Sequence, residues 1–500
     1  MKKLLFVTGM LVILLFSCGE PKFEPVPVPG SSTRRFWAQD TTKDYSDSSR
    51  FYQLTAALLA ENDYCKVWAE TTSGVSKETA REVADAYLDI YSKMIDAFGL
   101  YFQISGKIYN TIQLADNIGD RDGKLRILLL DIKDSYQKGV NESAVGGYFY
   151  SGDLFDQKYS NLCDMIYIDT SPGKPGENES NMTLAHELQH LMNEVTSLAI
   201  RNDGKYYYPL DLWINEGLSV SAEWVYSGGH PVSRWVWYHL NGDGKNIKSL
   251  IDKGNNFFVW GNRTDENPYA ILDDYATVYL FFQWLRIQND GVGIYRNIIG
   301  SERDDYLAVT GAASTINPVY TNWGSLLGDW LAANYINNAT GGYGYKNDPE
   351  LGKLTRHFLP TNEITIDLYP GEGVYSAIDE DYAAANDMPS SPGTNISYYV
   401  LTTSPESTMA QGTLLTYNAN PNNFIVEDNV YKEPLPETGI VTGIVNKSVV
   451  VPVEGRSVTT TPRIAGPYWI GAEDVRRSGR AGSLSPAGVP RLPNSIAVSE

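Results

Sequence analysis

Two of the chain's five histidines stand four residues apart in His186-Glu187-Leu188-Gln189-His190. On a helix, positions i and i+4 share a face one turn apart. His186 and His190 can then offer two imidazole nitrogens to one zinc ion. Glu187 lies beside them, within reach of a water on that metal. The same five residues can also be two surface histidines on an ordinary helix, so the residues downstream decide their weight.

Catalytic zinc takes three protein ligands and keeps one position open. The extended pattern H-E-x-x-H-x-x-G-x-x-H is ruled out, because Asn193 stands where it needs Gly and Thr196 where it needs His. Glu216 is the better third ligand. It lies 26 residues after His190, in Asp211-Leu212-Trp213-Ile214-Asn215-Glu216-Gly217-Leu218-Ser219. An antiparallel helix beginning there can aim it back at the metal. Alone, Glu216 reads as a helix-start carboxylate at the positive end of the dipole. Paired with the two histidines, it reads as a ligand, with His230 and Glu194 as weaker alternatives.

These residues resemble the gluzincin metallopeptidases, whose third ligand is a Glu in an N-E-G-hydrophobic-small context. Within that group the chain is most similar to the hyicolysin-like bacterial neutral metallopeptidases. The resemblance runs from about residue 64 to about 345, and its specific core is 183–193 and 213–223. It implies His186, His190 and Glu216 as zinc ligands, Glu187 as general base, and a protein or peptide substrate. Glu223, seven residues past Glu216 on the same helix face, matches the aminopeptidase-like members. Tyr275 resembles their oxyanion-stabilising tyrosine, which precedes a similar apolar helix. A buried core tyrosine is an equal reading, with Tyr279 and His239 as substitutes.

The chain also departs from the pattern. The interval between His190 and Glu216 is longer than in the thermolysin and aminopeptidase branches, which implies an extra loop at 201–209. Val220 stands where thermolysin-like enzymes carry an Asp, so the carboxylate that orients a ligating histidine is Glu223 or another group. The G-A-M-E-N signature of the related aminopeptidases is absent, which favours an endopeptidase.

The elements that must position these residues are legible in part. Tyr64–Ala69 alternates as a strand. Ser76 caps a helix whose apolar stripe runs from Ala80 through Tyr87 and Met94 to Phe98, before Gly99. Lys124–Asp131 and Asp164–Asp169 read as buried strands, and 171–180 as a loop. Phe51–Ala60 has helical character. Helices are expected at Asp211–Tyr226, Leu272–Ile287 and Trp323–Ile336, their aromatic stripes being core. Beyond His357, short alternating runs at 364–368, 397–402, 412–417 and 440–453 suggest strands. The expected fold class is α+β: a zincin-like catalytic unit, with a mixed-sheet lobe and a helical lobe around the HExxH helix, plus a small β-rich C-terminal domain. The expected limits are 49–180 for the helix-and-sheet lobe, 181–360 for the helical zinc lobe, 361–470 for the β-rich domain and 471–500 for a flexible tail.

A net charge of −20 argues against nucleic acid or anionic lipid as the main partner. No phosphate-binding glycine loop and no G-x-S-x-G are present, and Asp120-Arg121-Asp122-Gly123 fails the EF-hand pattern. Lys2 and Lys3 precede an apolar run from Leu4 to Phe16 that is too short to span a bilayer. Leu15-Phe16-Ser17-Cys18-Gly19 resembles a bacterial lipobox. It implies a signal peptide at 1–17, lipidation of Cys18, and a Pro-rich tether at 18–48 holding the folded body to a lipid bilayer outside the cytoplasm. A plain signal peptide with a chance cysteine is the alternative. Cys65 and Cys163 can pair as a disulfide or remain buried thiols. The competing functional class is a surface lipoprotein that binds host or matrix components, with little or no proteolysis.

Overall fold

The computed structural model describes residues 33–99, 120–201, 207–254, 259–358 and 365–440 apart from short gaps, the longest being 378–395 and 402–412, together with 497–498. Strands β1 (Thr33–Gln39), β2 (Phe51–Glu61), β3 (Cys65–Glu70), β4 (Leu125–Leu130), β6 (Gly147–Phe149) and β7 (Met165–Asp169) form one mixed sheet in the order β1-β2-β3-β4-β7-β6. The two-residue strand β5 (Ser143–Ala144) lies outside it. β3, β4 and β7 run parallel, and the outer pairings are antiparallel. Every residue of β4 and β7 is buried, as strands covered on both faces require.

Strict alternation sorts the side chains to two faces. Val67, Ile127, Leu129, Ile166 and Ile168 join the core beneath helices α1 (Lys77–Phe98) and α2 (Asn178–Ile200). Phe36, Leu54, Leu128, Leu130, Tyr148 and Tyr167 form a second cluster on the other side. Ser76 Oγ accepts the Thr79 N–H and starts α1. Gly99, at φ 80, ends it in a conformation that favours glycine.

Two expectations fail in this lobe. Phe51–Ala60, expected to be helical, is the long strand β2. Its Ala- and Leu-rich sequence suits a helix, but pairing along both edges, with β1 and with β3, overrides that preference. Thr33–Gln39, expected as linker, is the edge strand β1, with Phe36 and Ala38 buried. Cys65 and Cys163 belong to the two different clusters and remain free thiols. Burial pushes the Cys65 thiol up to about 12, and raises that of Cys163 as well.

After the sheet, the chain is helical: α3 (Leu212–Ser227), α4 (Val232–Leu240), α5 (Ile271–Gln288), α6 (Gly293–Ile299), α7 (Tyr306–Ala313) and α8 (Trp323–Ile336). The three expected helices match α3, α5 and α8 to within a residue or so. α5 and α8 are buried almost all round, as uniformly apolar helices must be. No described helix is long and apolar enough to cross a membrane.

Beyond the helices, β8 (Thr365–Leu368) pairs with β14 (Glu437–Ile440), β12 (Ile425–Glu427) with β13 (Val430–Lys432), and β10 (Ile396–Leu401), β11 (Thr413–Asn418) and β9 (Gly373–Ala377) form a three-stranded sheet. The run expected at 440–453 lies outside the described residues after its first position, as do residues 1–32 and the tail apart from 497–498. Tyr375, Leu415 and Tyr417 share one core cluster with α8. Tyr375 Oη donates to the Leu331 carbonyl at 2.7 Å, and Tyr417 Oη to that of Gly324 at 3.2 Å.

Asp153 is fully buried in the sheet lobe. It accepts hydrogen bonds from Tyr167 Oη and the Asn161 N–H, both at 2.6 Å. Burial outweighs them and pushes its carboxyl up to about 7. A folded-state value raised above the unfolded one contributes stability that is present below the unfolded value, near 4, and is lost as pH rises through 7. Urea melts from pH 4 to 8 should therefore show stability falling with pH, and Asp153→Asn should flatten that slope. An unchanged slope in the variant would assign it to other groups.

Candidate active site

One stripe of α2 packs Leu184, Leu188, Leu191 and Val195 into the core, while His186, Glu187 and His190 are buried, both histidines facing α3. The two imidazole rings are 4.8 Å apart and inclined at 70°. His186 Nδ1 lies 2.9 Å from Glu223 Oε1. His190 Nδ1 lies 3.0 Å from Asn215 Oδ1 and 3.2 Å from Ser219 Oγ. Asn193 Nδ2 donates to Asn215 Oδ1, which orients that amide with its oxygen toward His190. Ser219 Oγ gives its own proton to the Asn215 carbonyl. Each imidazole thus faces acceptors at Nδ1. That arrangement places a proton at Nδ1 and turns Nε2 of each ring toward Glu216.

Both Nε2 atoms converge on Glu216 Oε2, at 3.5 Å from His186 and 3.6 Å from His190. That oxygen is buried and has no hydrogen-bond partner. Among the described residues, these three side chains form a group able to hold a metal ion, with donor atoms within 4.8 Å of one another. Ligand bonds of about 2.1 Å in a tetrahedron put neighbouring donors roughly 3.4 Å apart. The donor set and its spacing therefore fit zinc. Burial would lower the His186 pKa, but the Glu216, Glu223 and Glu187 carboxylates around the ring raise it to about 10. The same gathering of buried carboxylates suits a divalent cation.

Sequence reasoning names Glu223 as a carboxylate that orients a ligating histidine, but it missed Asn215 and Ser219. The three recur every four positions on one face of α3, a polar stripe on a largely apolar helix, and that stripe is the signal that could have revealed the other two. Asn193 stands one turn beyond His190 on α2. Arg234 on α4 left no such trace. Its Nη2 donates to Glu223 Oε1 at 2.8 Å, and its guanidinium lies 4.7 Å above the Tyr275 ring. Burial would raise the Glu223 carboxyl, but Arg234 and His186 hold it below its usual value.

Tyr275 is buried on α5. Burial, and then the charges of Glu216 and Glu187, raise its phenol well above the ordinary value despite Arg234, so it is a neutral donor at pH 7. The alternatives lie elsewhere. His230 bonds Tyr279 Oη through Nδ1, at 2.5 Å, and Asp348 through Nε2, at 3.0 Å. Glu194 accepts from Tyr207 Oη. His239 bonds Thr355. Gly217 has a plain steric reason: a Cβ there would lie 2.3 Å from the Phe282 ring, so only glycine lets α3 approach α5 this closely.

No family model matches the chain. The chain is similar to the Neutral metalloprotease ShpI of Staphylococcus hyicus. The two are 30% identical over 261 residues, which is 50% of this chain and 55% of that protein. The match thus spans little more than half the relative's length.

Glu223→Gln keeps an acceptor beside His186 but removes its charge. Competition with a chromogenic chelator should show zinc affinity about tenfold weaker in that variant. Equal affinity would mean that Glu223 does not tune His186.

Proposed function

We propose that this chain is a zinc-dependent metallopeptidase that hydrolyses peptide bonds within protein or peptide substrates. The observation that carries the reading is the convergence of two Nδ1-anchored imidazoles on a buried Glu216 oxygen that no hydrogen bond uses. The similarity to a neutral metalloprotease supports the same reaction class.

His186, His190 and Glu216 would hold the ion. Zinc bound there would supply a Lewis acid for the scissile carbonyl and lower the pKa of water. Glu187, adjoining His186 on α2 and fully buried, takes the proton of the attacking water and returns it to the leaving amine. Tyr275, a neutral phenol, donates to the oxyanion. Glu223 holds His186 and is itself held by Arg234. The lipobox-like residues around Cys18 support lipidation there and tethering to a bilayer on its extracytoplasmic side.

Cleavage of a quenched fluorescent unfolded protein tests the reading in wild type, Glu187→Gln and Glu216→Ala. Glu187→Gln should keep its zinc and lose roughly 10²- to 10⁴-fold in rate. Glu216→Ala should lose the metal. Wild type that holds zinc yet cuts nothing would replace this reading with the surface-binding one. Equal cleavage by wild type and Glu187→Gln would reject the assigned base.

A further inference from the structure

A carboxylate beside the C-terminal strands reaches the segment that leads into α5. Glu372, in the turn between β8 and β9, is fully buried. Its Oε2 accepts from Arg263 Nη2 at 2.9 Å and from the Tyr369 N–H at 2.8 Å, and Arg263 Nε lies 3.4 Å from Oε1. Arg263 Nη2 also donates to the Asp367 carbonyl at 3.2 Å. An Arg–carboxylate pair this deeply buried resists loss of either partner, because the other charge is left without compensation.

Arg263 belongs to the segment that leads into α5. Its carbonyl accepts the N–H groups of Glu266 and Asn267, and Asn267 in turn accepts those of Tyr269 and Ala270, immediately before α5 begins. Three residues ahead of Arg263, Trp260 sets its ring against Tyr275, at 4.9 Å between centroids and 89° between planes. Tyr275 also lies under the Arg234 guanidinium, which bonds Glu223, which bonds His186. The earlier end of the same segment abuts Glu372 too, since a Cβ on Gly254 would lie 2.8 Å from Glu372 Oε2. Contacts thus join the β8–β9 turn to Arg263, and join Trp260, three residues earlier in the chain, to a histidine of the proposed zinc site.

We propose that Glu372 is a positioning residue for the active site: its buried pair with Arg263 holds Trp260 as a wall against Tyr275 and so sets where Tyr275 stands. The kinetic part rests on the peptidase reading above, whereas the placement of Trp260 rests on geometry alone. The C-terminal strands then act as a brace for the candidate site.

The test uses the full chain and Glu372→Gln, each with and without Trp260→Phe and Tyr275→Phe. The difference in emission between each protein and its Trp260→Phe partner isolates Trp260. Iodide quenching of that signal should rise clearly in Glu372→Gln. Zinc content should match wild type, and kcat/KM should fall about tenfold from the displaced donor. In the Tyr275→Phe background, Glu372→Gln should cost nothing further, since the two act through one contact. Unchanged Trp260 quenching, or losses that simply multiply, overturn the proposal. So does a lower melting temperature with full kcat/KM in the zinc-loaded protein. If Glu372→Gln does not fold, Glu372→Asp, which keeps the charge but shortens its reach, is read in the same way. A wild type that cuts nothing while Trp260 responds to Glu372→Gln would leave the brace standing and remove the peptidase reading. Active wild type with an indifferent Trp260 would do the reverse.

Discussion

Two buried imidazoles on successive turns of α2 each need a partner at Nδ1, and α3 supplies both. His186 takes Glu223 and the later His190 takes the earlier Asn215 and Ser219. That crossed order forces the two helices antiparallel. Buried polar groups left without partners are costly, so this pairing admits little slack. The rest of the arrangement depends on it. Gly217, on the side of α3 away from the histidines, lets α5 close in with its Phe282 against α3. α5 then carries Tyr275 beneath Arg234, which ties back to Glu223. On the sheet side, Gly147 of β6 meets Thr183 of α2 so closely that a Cβ there would lie 2.9 Å from the threonine methyl.

One layer of this site is legible in the sequence and the next is hidden. His186, Glu187 and His190 are readable because helical spacing alone places them together. Glu216 is readable because it sits in a recognisable local context. Arg234 is not, since its partner Glu223 lies on the helix before it and the loop between them sets their distance. His230 shows the opposite difficulty. It is a histidine near the right stretch, but its ring is engaged by Tyr279 and Asp348, which come from distant parts of the chain. Spacing along one helix survives in sequence, whereas pairing across a loop does not.

The same division governs the fold. α3, α5 and α8 are visible from continuous apolar runs. β2 is deceptive, because Leu54, Ala56, Ala57, Leu58 and Ala60 favour a helix locally and become a strand through neighbours on both sides. The C-terminal strands read in the sequence as a small β-rich domain, being short runs separated by Pro and Gly. Their inward residues, Tyr375, Leu415 and Tyr417, join the core around α8, and two of their hydroxyls bond that helix's carbonyls.

That shared core bears on the order of synthesis. A growing chain carries both α2 histidines long before Leu415 and Tyr417 exist. Until those strands emerge, α8 has no cover on one side, and its apolar surface stays exposed in the way that makes partly folded chains prone to aggregate. The contacts that close it are distant in sequence and therefore slow to form. The body of the protein closes late, when β9 and β11 finish a core that the first helices began.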